Sequence, residues 1–323
     1  MVDLSPLFTA ARQAATLSRE VQRQHIIKSE KQGHEPVTIA DYGAQAILAH
    51  SLRQHFPDDG VISEESGTQF MELVADEQRQ IIVALISEII DEQVTETQVA
   101  EWLDHGKGVE SPRVWTLDPI DGTKGFVDNR HYVNAIGYLE NNDPVGALIA
   151  APAYKGGALF YTMNGGAYIE PLDRAGAPRQ LHVSDHQDPA FLRGLESVEK
   201  SHSSFDRMAR VRAFVGIDDR HVERIDSMEK YARVAAGEAE LYMRLPRLKS
   251  TRPHSTWDHA PGVALIRAAG GIATDVEGSR LDFSTGRIIN NQGIIATNGY
   301  IHARVIEAVQ KLLAEEKAVQ SEN

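Results

Sequence analysis

Cysteine is missing altogether from the 323 residues, which removes disulfides, thiolate zinc sites and cysteine nucleophiles together and suits a reducing compartment. Positive charge is scarce too: 33 Lys and Arg against 46 Asp and Glu leave a formal net charge of -13. That balance excludes a broad nucleic-acid-binding surface, because phosphate backbones demand clustered cations. It still admits one small phosphorylated ligand, provided that acids gather metal ions to supply local positive charge. Long apolar runs are also wanting. The longest, Ile81 to Ile90, is too short to span a bilayer and contains Glu88, so it reads as a buried helix face. The N-terminus carries no basic-then-apolar signal pattern, and a cytoplasmic protein without membrane or nucleic-acid partners is expected. What remains, 42% apolar and 24% charged residues, is ordinary globular composition, enough for one large or two closely joined domains.

The most informative stretch runs from Trp115 to Phe126, W-T-L-D-P-I-D-G-T-K-G-F. Val114, Trp115 and Leu117 predict a short apolar strand, Pro119 bars continuation of its ladder, and Asp121-Gly122 predicts a tight turn. Two carboxylates, Asp118 and Asp121, thus sit on a bend at a strand end. Pro119 stiffens the bend, so the Ile120 carbonyl can point the same way as both acids. Hard oxygen donors of this kind favour Mg2+, Mn2+ or Ca2+ over zinc, and two acids so close repel unless a cation lies between them. Taken alone, both acids could equally cap backbone N-H groups of a turn.

Along the chain, Ser5-Pro6 opens a helix whose Leu7, Ala10, Ala14, Leu17 and Val21 recur at helical spacing. Lys28 to Pro36 reads as a loop, and Val37 to Tyr42 leads into a helix with Ala44, Ile47, Leu48 and Leu52 inside and Asp41 at the N-cap. Glu64-Glu65 after an apolar dipeptide is, by itself, a solvated strand end. Met71 to Asp104 predicts two helices ending near Gly106, with Trp102 and Leu103 packed inward. Tyr132–Leu139, Val145–Ala150, Ala158–Met163 and Ala167–Ile169 predict an antiparallel meander, and Asp173 to Gly176 a seam. From Leu181 short strands and helices alternate, as in a mixed α/β unit, and no internal repeat is visible. Ser227 and Lys230 fall on one face of a helix opening near Ile225, where hydroxyl and ammonium suit a phosphate or simply meet solvent. Arg244 falls on the same side of a strand as Tyr242, as phosphate donor or edge-strand charge. Asp258 precedes the apolar helix Val263 to Ala269 as a further cap. The final helix spans Ala303 to Lys317.

As a whole string, Asp118-Pro119-Ile120-Asp121-Gly122-Thr123 after a strand resembles the signature of the inositol monophosphatase superfamily of Mg2+-dependent, lithium-sensitive phosphatases. Its continuation Lys124-Gly125-Phe126 is similar to the 3'(2'),5'-bisphosphate nucleotidase branch. V-T-x-x-D-Y at Val37 to Tyr42 resembles the family segment whose Asp helps to activate the attacking water, and Ser63-Glu64-Glu65 its G-E-E segment, with Ser63 in place of Gly. W-D-x-A-x-G at Trp257 to Gly262, followed by Ala269-Gly270-Gly271, resembles the second signature, whose Asp completes the metal site. Gly194 to Ser204 resembles the nucleotidase loop with a substrate-contacting His, here His202, and Leu281-Asp282-Phe283 with Gly286-Arg287 resembles a later nucleotidase pattern.

The resemblance implies a layered αβαβα sandwich of the inositol monophosphatase and fructose-1,6-bisphosphatase type, α+β to α/β in class. Residues 1–179 would form an N-terminal α+β domain with most metal ligands, and 180–323 a C-terminal α/β domain with Asp258 and the nucleotide-binding residues. It implies two or three Mg2+ ions, with Mn2+ able to substitute and Li+ inhibitory. Glu64, Asp118, Asp121 and the Ile120 carbonyl would hold one set, and Asp258 would join a second. Thr123, hydrogen-bonded to Asp41, would orient or deprotonate water, while N-H groups of Gly122 and Thr123 cradle the phosphate. His202, Ser227, Lys230 and Arg244 would grip a nucleotide. The implied reaction removes the 3'-phosphate of adenosine 3',5'-bisphosphate (PAP) to give AMP, with its sulfated relative (PAPS) also accepted, by a monomer or homodimer. An inositol mono- or polyphosphate phosphatase is the alternative, and a non-catalytic binder of phosphorylated metabolites the remoter one.

Overall fold

The computed structural model describes residues 2–24, 28–30, 36–198, 205–246 and 254–321, with the backbone alone at 24, 28–30, 36–38 and 319–321. Helix α1 (Phe8–Gln24) follows a 3-10 turn at Ser5–Leu7 that has Pro6 in its first turn. Its helical stripe of Leu7, Ala10, Ala14, Leu17 and Val21 is buried throughout. Strands β1 (Lys28–Glu30) and β2 (Pro36–Thr38) pair antiparallel. The polar segment expected to be all loop therefore begins and ends in a small ladder that satisfies its backbone groups locally.

Helix α2 (Ile39–His55) starts two residues before Asp41, which sits in its first turn instead of capping it. Strand β3 (Gly60–Ser63) follows, then α3 (Gly67–Leu73), α4 (Asp76–Ile90) and α5 (Glu96–Leu103). Where two helices were expected, a third precedes them, because Ser66 caps it by accepting from the Gln69 N-H at 3.3 Å. Trp102 and Leu103 do pack inward.

Strand β4 (Arg113–Asp121) runs through Pro119, correcting the expectation that proline ends the ladder. Its pairing with β5 shifts register between Asp118 and Asp121, so the proline occupies a bulge, where no ladder N-H is required. The short α6 (Thr123–Val127) leads to β5 (Val133–Glu140), β6 (Asp143–Ala151), β7 (Ala158–Met163), β8 (Gly166–Pro171) and β9 (Arg179–Leu181). This is the expected antiparallel meander, and with β3 and β4 it makes a seven-stranded sheet in sequence order. Two hairpins turn on left-handed pairs, Asn141-Asn142 and Asn164-Gly165, the backbone that tight hairpins need.

The second half contributes β10 (Gly194–Glu196), α7 (Phe205–Val215), β11 (Val222–Arg224), α8 (Glu229–Ala235), β12 (Leu241–Arg244), β13 (His254–Ser255), α9 (Ala260–Ala268), β14 (Ile272–Thr274), β15 (Ile288–Ile289), β16 (Ile294–Thr297) and α10 (His302–Ser321). A five-stranded mixed sheet is ordered β11-β10-β12-β16-β14, and β13 pairs with β15 beside it.

Alternation along the meander reveals the layers. Leu148, Ala150, Leu159 and Tyr161 join one apolar cluster with α1, α2 and α4, whereas Ala147, Ile149, Ala158 and Phe160 join another with α8 and α9. That second cluster also holds Tyr242 and Ala296 of the smaller sheet, whose Leu241, Met243 and Ile295 face α7 and α10 in a third. Successive side chains of a strand point to opposite faces, so helices, sheet, helices, sheet and helices stack as the αβαβα sandwich expected. Both sheets are covered on both faces, which is why their strands carry nearly unbroken apolar runs.

Candidate active site

Strand ends of both sheets and the N-terminal approach to α9 converge on one cavity of about 460 Å³. Its floor is the β4 bulge. Asn134 of β5 donates from Nδ2 to the Pro119 carbonyl at 2.5 Å and to Ser18 Oγ at 2.9 Å. The Ile120 carbonyl accepts from Thr123 Oγ1 at 3.1 Å. The hydroxyl of Thr123 is thus directed at Ile120, correcting the expected hydrogen bond to Asp41.

Gly122 then turns the chain in a left-handed conformation, φ +89°, where a Cβ would come within 3.0 Å of Ser227 Cβ. Glycine is required there by conformation and by the close approach of the second half. Ser227, itself left-handed at φ +68°, lies before α8. Ser227 and Lys230 therefore do not share a helix face as the spacing predicted, because Ser227 sits in the turn and its Oγ accepts from the Glu229 N-H at 3.3 Å. Lys230 is buried, and its Nζ donates back to the carbonyls of Ile225 and Ser227. An ammonium has three donors, so one is left for the cavity. Burial pulls its pKa down to about 8 against the pull of Asp121 and Asp226.

Glu64, Asp118, the Ile120 carbonyl side, Asp121, Gly122, Thr123, Ser227, Lys230, Arg244 and Asp258 all line the cavity. Asp41 is buried behind that wall instead of on it, near enough to act on Asp118. His202 lies outside the described residues. Arg244 and Tyr242 do face the same side, on a central strand and not the edge considered for it.

Asp118 is the electrostatic centre. Burial first, then the charges of Asp121, Glu64, Asp258 and Asp41, push its carboxyl well above the ordinary carboxylate range. Its Oδ1 is buried without a hydrogen-bond partner. Asp121 opens to the cavity but is enclosed elsewhere, and burial raises it while Lys230, the Met228 N-H and Arg244 pull it back. A buried carboxylate oxygen left unpartnered among four other acids is what a divalent cation would relieve, and carboxylate and carbonyl oxygens are the donors that Mg2+ takes. Among the described residues no three His, Cys, Asp or Glu groups stand close enough together to hold an ion as they are.

Several contributors escaped the sequence reading. Gln45 of α2 clamps the Glu65 backbone, accepting from its N-H at 2.8 Å and donating to its carbonyl at 2.9 Å. Ser63 Oγ donates to the same carbonyl at 3.2 Å, giving the serine that replaces glycine a local use. Gln45 stands i+4 from Asp41 on an otherwise apolar helix face, and Asn134 interrupts an apolar strand. Those isolated polar residues were the available signals. Ser197, His254, His259 and the Asn290–Gly293 loop complete the cavity walls, and nothing local marked them.

The chain belongs to the inositol monophosphatase family, whose model matches residues 3–314. That family is generally dependent on a metal, Mg2+, and acts on small phosphorylated metabolites. More particularly, the chain is 31% identical to 3'(2'),5'-bisphosphate nucleotidase 2 of Candida albicans, covering 94% of this chain and 95% of that one. It is 33% identical to the 3'(2'),5'-bisphosphate nucleotidase of Schizosaccharomyces pombe, over 95% and 94%, and 33% identical to that of Oryza sativa, over 95% and 93%. Among solved structures the Thermotoga maritima IMPase superposes with a TM-score of 0.66 at 20% identity, covering 95% and 96%. CysQ from Bacteroides thetaiotaomicron gives 0.61 at 19%, covering 91% and 96%. These two likenesses establish the fold. No helix among the described residues is long and apolar enough to cross a membrane.

Proposed function

We propose that this chain is a Mg2+-dependent phosphomonoesterase that removes the 3'-phosphate of PAP to give AMP and phosphate, and that it also acts on PAPS. The observation that carries the reading is Asp118, with a buried unpartnered oxygen amid four acids, in the same cavity as Lys230 and Arg244. The acids suit cations that activate a phosphate ester, and the two cationic side chains suit a second phosphate. The names of the curated relatives support the same substrate.

Glu64, Asp118, Asp121 and the Ile120 carbonyl would hold one set of ions, and Asp258 would join a second. Bound Mg2+ supplies the positive charge that polarises the phosphoryl group, acidifies water and stabilises the leaving oxygen. The chain's own groups do the remainder. N-H groups of Gly122 and Thr123 bind phosphate oxygens at the turn. Thr123, whose hydroxyl donates to the Ile120 carbonyl, reaches the cavity and orients the attacking water through its oxygen, while Asp41 adds its negative charge beside Asp118. Ser227, Lys230, Arg244 and His202 hold the nucleotide so that its 3'-phosphate meets the acids.

A phosphate-release panel with PAP, PAPS and inositol phosphates, each with Mg2+ and with EDTA, tests this. Metal-dependent release from PAP is expected, as is stronger inhibition by LiCl than by KCl at equal ionic strength. Preference for an inositol phosphate would transfer the reading to that class, and calorimetric binding of PAP without phosphate release would make the chain a binder.

A further inference from the structure

We propose that Arg287 is a positioning residue that sets the distance between the acid-bearing segments Ser63-Glu64 and Trp257-Asp258, and thereby the affinity of the cavity for divalent cations. This rests on the reading that Glu64 and Asp258 take part in holding metal.

The main chain of Arg287 is fixed beside the second segment. β13 pairs with β15, Ser255 opposite Ile288, and the Thr256 N-H donates to the Arg287 carbonyl at 3.0 Å. Thr256 Oγ1 also donates to the neighbouring Gly286 carbonyl. The side chain then crosses to the first half of the molecule. Its Nη1 donates to the Ser63 carbonyl at 2.6 Å, and Nη2 lies 3.4 Å from the Glu64 carbonyl. On the way the guanidinium lies over the Trp257 ring, 4.5 Å from its centroid.

One planar group thus stacks on the residue before Asp258 and donates to the backbone at Glu64, and a planar fork can do both at once where a lysine cannot. The connection has a load to bear. Glu64 and Asp258 both repel the buried Asp118, so each segment is pushed away from it, and from the other's reach, until a cation joins them. Arg287 opposes that separation beforehand, which makes the ion's arrival less demanding in reorganisation.

Calorimetric titration of Mg2+ into the full chain, without substrate, tests the proposal on wild type, Arg287→Ala and Arg287→Lys. Arg287→Ala is expected to weaken Mg2+ binding about tenfold while melting in EDTA close to wild type. Its activity should need more Mg2+ by the same factor, with kcat recovered at saturating Mg2+. Arg287→Lys, which keeps the charge without the fork, should recover part of the affinity. Unchanged Mg2+ affinity in Arg287→Ala overturns the proposal, whether or not the variant melts earlier. If wild type itself binds no Mg2+, the metal reading of the cavity fails as well, an outcome separable from failure of Arg287 alone.

Discussion

The acids and the cations of the cavity are held in opposite ways. Among the acids, carboxylates stand on strand ends and a bulge, their supporting carbonyls tied by Asn134 and Thr123, and the charge of Asp118 is met by further acids. Among the cations, Lys230 has already given two donors to carbonyls of its own turn, while the Arg244 side chain lines the cavity and acts on Asp121 through its charge. Asp118 is left unsatisfied until something binds, whereas Lys230 has most of its donors satisfied beforehand. Tight binding of cations and weaker, more selective binding of anions should follow.

The largest effect expected from breaking this contrast is at Asp121. Asp121→Asn should lower phosphate release on the order of a thousandfold with the circular dichroism unchanged, and undiminished turnover would sink its metal role. Asp118→Asn should behave alike in activity and also change stability. A carboxyl whose folded pKa lies above its unfolded value stabilises less as pH rises through that window, so at neutral pH its charge is a burden. The variant should therefore melt higher than wild type in EDTA and gain nothing from Mg2+, both read by thermal denaturation with and without the metal.

Among the cations, Arg244→Ala should raise KM for PAP roughly tenfold to a hundredfold and leave an inositol monophosphate unaffected. Equal losses on both substrates would contradict the division of roles. A smaller effect is expected with pH. Burial puts Lys230 near 8, so it is an ammonium below that value and neutral above it. KM for PAP should rise as pH climbs through about 8, and Lys230→Met should show a high, flat profile instead. Smallest is Asn134→Ala, which leaves the buried Pro119 carbonyl unpaired and should cost about 1–3 kcal/mol of stability by denaturant melts.

The acid cluster on β4 was legible in the sequence because its geometry is local. Asp118, Pro119, Ile120, Asp121 and Gly122 are consecutive, and their residue types restrict the backbone they can adopt. Even there proline misled, since the bulge that accommodates it depends on Asn134, a strand away. The meander was legible for the same reason, its hairpins being written in Asn-Asn and Asn-Gly. The second sheet was not, because its strands are three or four residues long and pair out of sequence order. The helical spacing of Ser227 and Lys230 failed at a single left-handed residue. Gln45 and Arg287 act on backbone atoms far along the chain, and no periodicity announces such contacts.

Gly122 and Ser227 touch at the base of the cleft with no room for a methyl group between them. The two halves of the chain thus meet in close contact at the turn that lines the cavity. Arg244, Asn290 and Gln292 line the same cavity outside that contact, so substitutions there are expected to alter substrate choice and leave the turn undisturbed.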